Sequence, residues 1–512
     1  MLRDILKTCF VISLTVFLLL FSISVSLAFN LLKPISKLDA SLSEFNPIGH
    51  HLIDPINKAV PRLHLKGFIR LDANFNVHRD DHSIGMGQID KDWRAQKTEW
   101  LFELEGSYEL TENWSFHAIT HFLYDTIYDW QNSRGLYADR VDRTSHYYHR
   151  GEQILRECYL KGFWGNFDFY LGKQQVVWGK MEGRVLDIVN PQDLREYPPA
   201  DWQDDYEYRR IPLWMANVTY HWSDYSIQTL WIPDFEGNYG PTPGAPYFPP
   251  FISIPSVAAF KNTDKPSHAF EDHQWGLRFN MTKGRWEYSL VYFYTWSQSP
   301  TNFRRHYRLV PFNQGLINLL LEPKHTRLHQ FGGNIETSFY WLGRDWVVTN
   351  EILYTLNKYY SVDNESLLPW KLEDGVVKKD EIFFGSRWMT NFFDGELNVI
   401  FQPLLRYIVG FNHHLSSPGT NQELLYGALL VLSKSYEFTA DRLNTTYYML
   451  GFANAHPSSK SEGWRHLLEV RWKVSDYIST MLYYEWYGGD HMGIYGAYDK
   501  YDNIGMQIKY EF

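Results

Sequence analysis

The chain has 512 residues, a net charge of −10 and a mean hydropathy of −0.38. The acidic balance argues against nucleic acid as a partner, and the low hydropathy excludes a polytopic helical membrane protein. Trp, Tyr and Phe make up 17% of the residues, which suits a β-barrel with aromatic girdles at both membrane interfaces.

Residues 1–28 predict an export signal. Arg3 and Lys7 form a basic start, an apolar stretch runs to Ala28, and Ser26-Leu27-Ala28 places small residues where a signal peptidase cleaves. The alternative is an uncleaved membrane anchor, because the apolar stretch is long for a signal. Cleavage would leave Cys158 as the only cysteine, so we expect no internal disulfide.

Residues 29–61 form the next segment and lack a strand pattern. Its apolar residues are spaced for a short amphipathic helix, which Pro34 breaks near its start. We predict a periplasmic N-terminal segment or a plug, which either packs on the barrel floor or docks a partner.

Period-two alternation dominates residues 62–512. In RLHLKGFIRLDANFNV (62–77) the odd positions are mostly apolar and the even positions mostly polar, so one face of a strand is apolar. The pattern holds for sixteen residues, whereas soluble strands average about 5–6 residues and a tilted transmembrane strand needs about 9–11. It recurs at 98–110, 114–128, 286–296 and from 346. The pattern therefore predicts membrane-spanning strands.

Short and long connections alternate along this region. The short ones hold residues suited to tight turns: Thr111-Glu112-Asn113, Gly165-Asn166, Ser223-Asp224, Lys283-Gly284-Arg285, Gly343-Arg344-Asp345, Asp394-Gly395 and Ser475-Asp476. The long ones are polar or rich in Pro and Gly: 129–150, 234–268, 298–325, 359–379 and 489–500. Strand and helix interpretations compete at 420–452.

The predicted fold class is all-β: a transmembrane antiparallel β-barrel of about 16–18 strands with short periplasmic turns and long outer loops. This organisation is typical of the outer membrane of a Gram-negative bacterium, so we expect contact with outer-membrane lipid and lipopolysaccharide. A barrel of this size is too wide for side chains to fill, so a water-filled or partly plugged channel is expected.

Charged residues alternate on the face predicted to line the lumen. They are Arg62, Lys66, Arg70, Glu99, Glu103, Glu105, Glu157, Lys161 and Asp168. Basic residues of the first strand and acidic residues of the second can pair across the ladder. The set is either a mutually neutralising wall or a selectivity filter. A two-residue turn at Gly165-Asn166 would pair Trp164 with Phe167 and turn both, together with Cys158, toward lipid.

The segment GKQQVVWGKMEGRVLDIVNPQDLRE (172–196) resembles a proteobacterial family of outer-membrane proteins of unknown function, the domain of unknown function 1302 type. The matching residues are Gly172, Lys173, Gln174, Trp178, Gly179, Asn190, Pro191 and Asp193. Lys180-Met181 departs from the Glu-Ser that the family often carries, and the specific match covers roughly 170–236. The resemblance implies an outer-membrane barrel that moves a hydrophobic or amphipathic compound, with a periplasmic partner of lipoprotein-carrier fold and an efflux-type exporter.

The same motif predicts a loop inside the barrel. Gly172, Gln174 and Trp178 share the inward face by their even spacing. A glycine there lets another backbone come close, and a Gln amide can hold that backbone by hydrogen bonds. We expect residues 179–200 to fold back into the barrel and narrow the lumen; the alternative is an ordinary outer loop capped by the motif.

Two pieces of the predicted outer loops are apolar, at 247–260 and 315–323, and the spacing of leucines in 315–323 indicates a helix. Such segments must be covered, by one another, by the outer leaflet or inside the lumen. Packing between loops is one interpretation and an apolar substrate path is the other.

Motifs for catalysis are not found. The chain has no Gly-x-Ser-x-Gly elbow, phosphate loop or His-Glu-x-x-His, so we predict no enzyme, cofactor or metal site. His146 with His149, His50-His51 and His413-His414 are interpreted as solvated histidines, and Asp80-Asp81 and Asp204-Asp205 as loop charge. A passive or substrate-selective porin for small polar solutes is the main functional alternative, followed by an outer-membrane hydrolase and an adhesive or structural barrel.

The last strand ends on an aromatic residue. Polar residues at 503, 505, 507, 509 and 511 alternate with Ile504, Met506, Ile508, Tyr510 and Phe512. Tyr510 and Phe512 resemble the terminal signal that the outer-membrane insertion machinery recognises.

Overall fold

The computed structural model describes residues 45–77, 82–84, 87–89, 95–130, 148, 150–181, 184–195, 206–240, 258–309, 317–362, 375–411, 415, 423–454, 462–490 and 495–512. The predicted signal 1–28, residues 29–44, the histidines at 146, 149, 413 and 414, and the two Asp pairs lie outside these residues.

Eighteen antiparallel strands form one closed sheet, in which each strand pairs with its neighbour in the chain and the last pairs with the first. We number the barrel strands alone. They are β1 (Leu63–Asn76), β2 (Ala95–Thr111), β3 (Trp114–Asp125), β4 (Leu155–Trp164), β5 (Phe167–Gln174), β6 (Leu213–Trp222), β7 (Tyr225–Ile232), β8 (Gln274–Lys283), β9 (Trp286–Trp296), β10 (Arg327–Trp341), β11 (Arg344–Ser361), β12 (Val376–Phe392), β13 (Leu397–Val409), β14 (Leu424–Ser435), β15 (Leu443–Asn454), β16 (Gly463–Lys473), β17 (Ile478–Gly489) and β18 (Asn503–Glu511). The predicted barrel is confirmed, at the upper end of its strand range.

Turn chemistry explains why the strands reverse where they do. Gly165 and Gly284 adopt φ values of +58° and +62°, which tight hairpin turns require and which glycine tolerates without strain. The register at Gly165-Asn166 pairs Trp164 with Phe167, as predicted. The ambiguous region 420–452 holds strands β14 and β15, joined by the short helical turn Glu437–Thr439.

Alternation along each strand separates a lipid face from an inner face. On β18, Ile504, Met506 and Ile508 are exposed outward, whereas Asn503 is fully buried inside. This arrangement matches the pattern predicted for the last strand. Burial of one face and exposure of apolar side chains on the other is the organisation of a transmembrane barrel.

The helical elements are short. They are the π-helical turn Gly49–Ile53, the helix Asp54–Ala59, the turns Ile127–Trp130, Gly151–Ile154 and Tyr206–Arg209, and the 3₁₀ turns Phe393–Gly395, Glu437–Thr439 and Gly496–Tyr498. Among the residues described, no helix has both the length and the apolar character needed to cross a membrane.

The N-terminal segment packs against the seam between β1 and β18. The Tyr510 hydroxyl donates to Asn46 Oδ1 at 2.8 Å and accepts from the backbone N–H of Ile48 at 3.1 Å. Asn57 exchanges two hydrogen bonds with the backbone of Leu65, at 2.8 and 3.0 Å. The pairing of β1 with β18 starts only at Phe68. Asn57 therefore supplies hydrogen-bond partners for the Leu65 backbone, which β18 does not reach.

The outer loops contain two further small sheets. One pairs His82–Ile84 with Gly87–Ile89; the other joins Ala258–Phe260, Thr301–Leu309 and Ile317–Lys324. The helical interpretation of 315–323 is therefore wrong for its described part, because this segment finds backbone partners in two other loop strands. Ala258–Phe260 pairs in parallel with Leu319–Leu321, so the two apolar loop pieces meet each other.

Candidate functional site

The connection between β5 and β6 enters the barrel, and we call its residues 175–195 the inward loop. Gly172, just before it, has φ +138°. A Cβ there would collide with the carbonyl oxygen of Cys158, so the backbone that approaches this glycine belongs to the adjacent strand β4. The expectation that Gly172 accommodates the loop itself is not what the structure shows.

A chain of side-chain amides holds the indole of Trp178. Asn217 donates to Gln174 Oε1 at 3.1 Å, Gln228 donates to Asn217 Oδ1 at 3.0 Å, and Trp178 Nε1 donates to Gln228 Oε1 at 2.8 Å. The chain spans β5, β6 and β7, so three strands fix one fully buried ring. A buried indole N–H needs such an acceptor.

Asn190 closes the neck of the inward loop. Its Oδ1 accepts from the backbone N–H of Val176 at 2.7 Å, and its Nδ2 donates to the Ile211 carbonyl at 2.9 Å. It is fully buried. Pro191 follows and its carbonyl accepts from the Ile211 N–H at 2.7 Å. The inward loop therefore begins and ends at neighbouring positions on the barrel wall, next to Val176 and Ile211.

The tip of the inward loop binds to Glu351 of β11, six strands from β5, where the loop begins. The Glu351 carboxylate accepts from the backbone N–H groups of Lys180 at 2.5 Å and Leu186 at 3.3 Å. Arg387 of β12 donates to the Lys180 carbonyl at 2.6 Å. Glu351 is 1% exposed, and hydrogen bonds from backbone N–H groups are the compensation that a buried carboxylate requires.

The Lys180 side chain adds an ionic contact. Its Nζ lies 2.5 Å from Glu287 Oε2 and 2.7 Å from Glu336 Oε1, on β9 and β10. The departure of Lys180-Met181 from the family pattern therefore falls at the tip of the inward loop, where both residues dock.

Apolar side chains complete the docking. Met181 lies over Gly385 and Leu186 over Gly332, where a Cβ would come within 2.7 and 2.6 Å of those side chains. The buried cluster around them consists of Val176, Trp178, Met181, Val185, Leu186, Ile188, Val189, Leu213, Met215, Leu230, Ile232, Val291, Phe293, Leu353 and Leu404. The inward loop thus crosses the barrel interior.

We predict that Glu351→Gln loosens this docking. A neutral amide accepts backbone hydrogen bonds more weakly than a carboxylate, and hydrogen bonds to charged groups contribute about 1.5–3 kcal/mol each. Maleimide labelling of a Leu186→Cys reporter, with Cys158 changed to Ser, should be faster in Glu351→Gln than in the parent. Equal labelling rates would show that Glu351 does not hold the loop.

Charged residues of β1 and β2 pair across the ladder inside the barrel. Arg70 lies 3.2 Å from Glu99, and Lys66 lies 2.9 Å from Glu105. Lys97 and Asp72, which form a further pair at 2.9 Å, were not among the predicted charges. Each of these six charged residues therefore has a partner of opposite charge across the ladder.

The remaining predicted site residues each contact a different partner and do not form one cluster. Glu103 contacts His121, Asp168 lies 3.0 Å from His221, and the Lys161 amine lies over the rings of Phe163 and Tyr170. Glu157 accepts from Gln175 at 2.7 Å. Asp193 forms a bidentate pair with Arg195. These contacts leave the functional role of the set as a prediction.

Two of the predicted site residues, Arg62 of the lumen charges and Lys173 of the motif, do not lie with the other members of their groups. Arg62 precedes β1 and donates to the Leu110 carbonyl at an exposed position. Lys173 donates to the carbonyl oxygens of Glu152 and Leu155 at the outer rim, because it shares the strand face of Leu171 and not that of Gln174.

A β-bulge explains one departure from simple alternation. The register between β3 and β4 shifts after Ile119–Glu157, so that Thr120 pairs with Leu155. A bulge places two consecutive residues opposite one partner, and here both Arg156 and Glu157 are buried. Arg156 donates to the carbonyl oxygens of Glu207 and Tyr208, which lie in the connection between β5 and β6 that also holds the inward loop.

The inner faces of strands β13–β17 carry a buried apolar wall rich in tyrosine, which also holds the ion pair of Arg465 and Glu485. The buried cluster consists of strand residues and of three tyrosines from a loop: Ile400, Leu429, Val431, Tyr448, Leu450, Leu467, Met481, Tyr483, Tyr487, Tyr495, Tyr498 and Tyr501. The last three come from the connection between β17 and β18. Sequence patterning could have indicated this wall, because β14 reads LLYGALLVLSKS with leucines on both faces.

The sequence matches the family described as "protein of unknown function (DUF1302)" over residues 71–512. The chain belongs to the DUF1302 family. The match extends the resemblance from the motif to the whole barrel. No curated protein matches this DUF1302 member.

Solved structures share the architecture at very low identity. OccK8 (OprE) from Pseudomonas aeruginosa is 8% identical, with a TM-score of 0.51 over 88% of this chain and 98% of that chain. OccK2 (OpdF) from the same organism, in complex with glucuronate, is 8% identical, with a TM-score of 0.50 over 88% and 98% of the respective chains. These likenesses place the DUF1302 chain in the same barrel fold.

Proposed function

We propose that this protein passes or exports a hydrophobic or amphipathic compound across the outer membrane, working with periplasmic and inner-membrane partners. The observation that supports the proposal is the apolar inner wall of β13–β17 together with the apolar side chains Met181, Val185 and Leu186 of the inward loop. A passage for polar solutes alone gains nothing from such a wall, because apolar constrictions exclude water.

The charged wall of β1 and β2 supports an amphipathic cargo more than a purely hydrocarbon one. Fixed ion pairs such as Arg70–Glu99 give a polar head group a favourable surface. Leu450 and Leu467 are each 1% exposed, so an apolar tail would reach them by displacing side chains that now cover them. The export direction and the partners are part of the proposal, through the family resemblance.

Uptake of N-phenylnaphthylamine by intact cells tests the proposal, because an intact outer leaflet slows this hydrophobic dye. Expression of the protein should raise the uptake rate several-fold over an empty-vector strain. Leu467→Asn should remove much of the increase by placing an amide on the apolar wall. Ser433→Asn, which puts the same group on a polar part of the inner face, is the control, with equal insertion verified for both.

A substrate-selective porin is the second candidate. A polar cavity beside the inward loop, lined by residues of β4–β8, favours it. Liposome swelling in small sugars, with no change in dye uptake, would support the porin and contradict passage of a hydrophobic compound.

A further inference from the structure

A cavity of about 430 Å³ lies between the inward loop and the inner faces of β4–β8. Its lining is mostly polar and includes Glu157, Tyr159, Asn217, Gln228, Arg278 and Asn280. Such a volume accommodates a small head group with several hydrogen-bonding partners, as ligand pockets do when a few polar groups converge.

Arg278 is the charge in this cavity that lacks an ionic partner among the described residues. Its Nε is buried without a hydrogen-bond acceptor in that part of the chain, and its Nη1 reaches only the Val177 carbonyl at 3.5 Å. The carboxylates of the cavity are engaged elsewhere: Asp168 with His221 at 3.0 Å and Glu157 with Gln175 at 2.7 Å. Arg278 is half-buried, and the carboxylates of Glu351 and Glu287 act on it from beyond ion-pair distance. Its buried Nε still has no acceptor within the described part of the structure, and a ligand carboxylate would supply one.

The position of Arg278 on the barrel adds a second observation. On one side it pairs in register with Gln228 of β7, and on the other with Val291 of β9. Val291 belongs to the apolar cluster that covers the inward loop, whereas Gln228 belongs to the amide chain that holds Trp178. Arg278 therefore lies where the polar cavity meets the apolar cluster around the inward loop.

We propose that Arg278 binds the head group of a carboxylate-bearing amphiphile, with the apolar tail directed from Val291 along the apolar cluster around the inward loop. The planar guanidinium matches a carboxylate through two parallel hydrogen bonds. A single arginine in a cavity that is also lined by the carboxylates of Glu157 and Asp168 favours a singly charged head over a doubly charged phosphate monoester. The inference rests on the proposed function and specifies its substrate class.

Titration calorimetry of the full chain in lipid nanodiscs tests the proposal, with octanoate, acetate, 1-octanol and octylammonium as probes. Octanoate should bind saturably, and Arg278→Gln should weaken its binding about ten- to a hundredfold, the range given by charge-assisted hydrogen bonds. Arg278→Lys should retain part of the affinity. Lys358→Gln, which removes the same charge from an ion pair with Glu381 between β11 and β12, should leave it unchanged.

The outcomes separate the two proposals. If Arg278→Gln binds octanoate as the parent does, the anion site is refuted while passage of amphiphiles stands. If acetate binds as tightly as octanoate and both depend on Arg278, the anion site stands and the proposed contact of the tail with the apolar cluster at Val291 is refuted. If octanol and octylammonium bind as well as octanoate, the carboxylate preference is wrong.

Discussion

Replacing residues 179–189 with two glycines should raise the single-channel conductance of the barrel several-fold and admit larger solutes. Trp178 and Asn190 flank the deletion, and the bond of Asn190 to Val176 at 2.7 Å shows that the two ends of the loop meet. The shortened chain can therefore close without distorting the wall. Planar-bilayer recordings and sensitivity to bulky antibiotics measure the effect.

The free energy of docking indicates that the inward loop constricts the lumen permanently. Burial of a large apolar side chain contributes about 1.5–3 kcal/mol, so Met181, Val185, Leu186 and Ile188 together contribute on the order of 6–12 kcal/mol. Spontaneous undocking would be rare. A cargo must pass beside the loop or replace its apolar contacts.

A deletion within the outer connection between β11 and β12, which leaves the inward loop intact, is the control for general damage to the barrel. It should leave the conductance near that of the parent. If the parent and the glycine-bridged variant conduct equally, the inward loop does not limit the passage.

Deletion of Phe512 should sharply reduce the amount of folded barrel in the outer membrane. The backbone of Phe512 exchanges two hydrogen bonds with Gly67, at 2.8 and 2.9 Å, and its ring covers that glycine, where a Cβ would come within 2.8 Å of the ring. The ring also lies 6.1 Å from that of Phe102. We propose that insertion machinery reads this terminal aromatic, so that both recognition and closure of the seam are lost.

Heat-modifiable migration on gels, with outer-membrane fractionation, measures this effect. Glu511→Gln alters the neighbouring residue and keeps the aromatic end, so it should insert normally. Gly67→Leu should also insert poorly, because a Cβ there would collide with the Glu103 carbonyl oxygen as well as with the Phe512 ring. Normal insertion of the Phe512 deletion would refute the assignment of an assembly signal.

The strands, the hairpin at Gly165-Asn166 and the lipid face of β18 could be predicted because they depend on local rules. Alternation has a period of two, and a two-residue turn fixes the register of both strands beside it. The inner position of Gln174 and Trp178 follows from the same rule. These features need no knowledge of distant residues.

The docking site could not be predicted, because its partners are remote in the chain. Glu351 lies 171 residues after Lys180, and nothing in the local pattern around Glu351 indicates that it receives two backbone N–H groups. Alternation places Lys173 on the same strand face as Leu171, whereas the motif match had grouped Lys173 with Gln174. The strand Ile317–Lys324 also forms through pairing with other loops, which overrides its helical spacing.

The seam between the first and last strands has a consequence for biogenesis. The contact between Asn46 and Tyr510 joins residues 464 positions apart, and β1 stays an open edge until β18 has been made. An incomplete chain therefore carries two unpaired edges, on β1 and on the last strand synthesised, and such edges are templates for aggregation. Periplasmic chaperones would have to shield both edges during export, and the N-terminal segment can lock only when the C-terminus arrives.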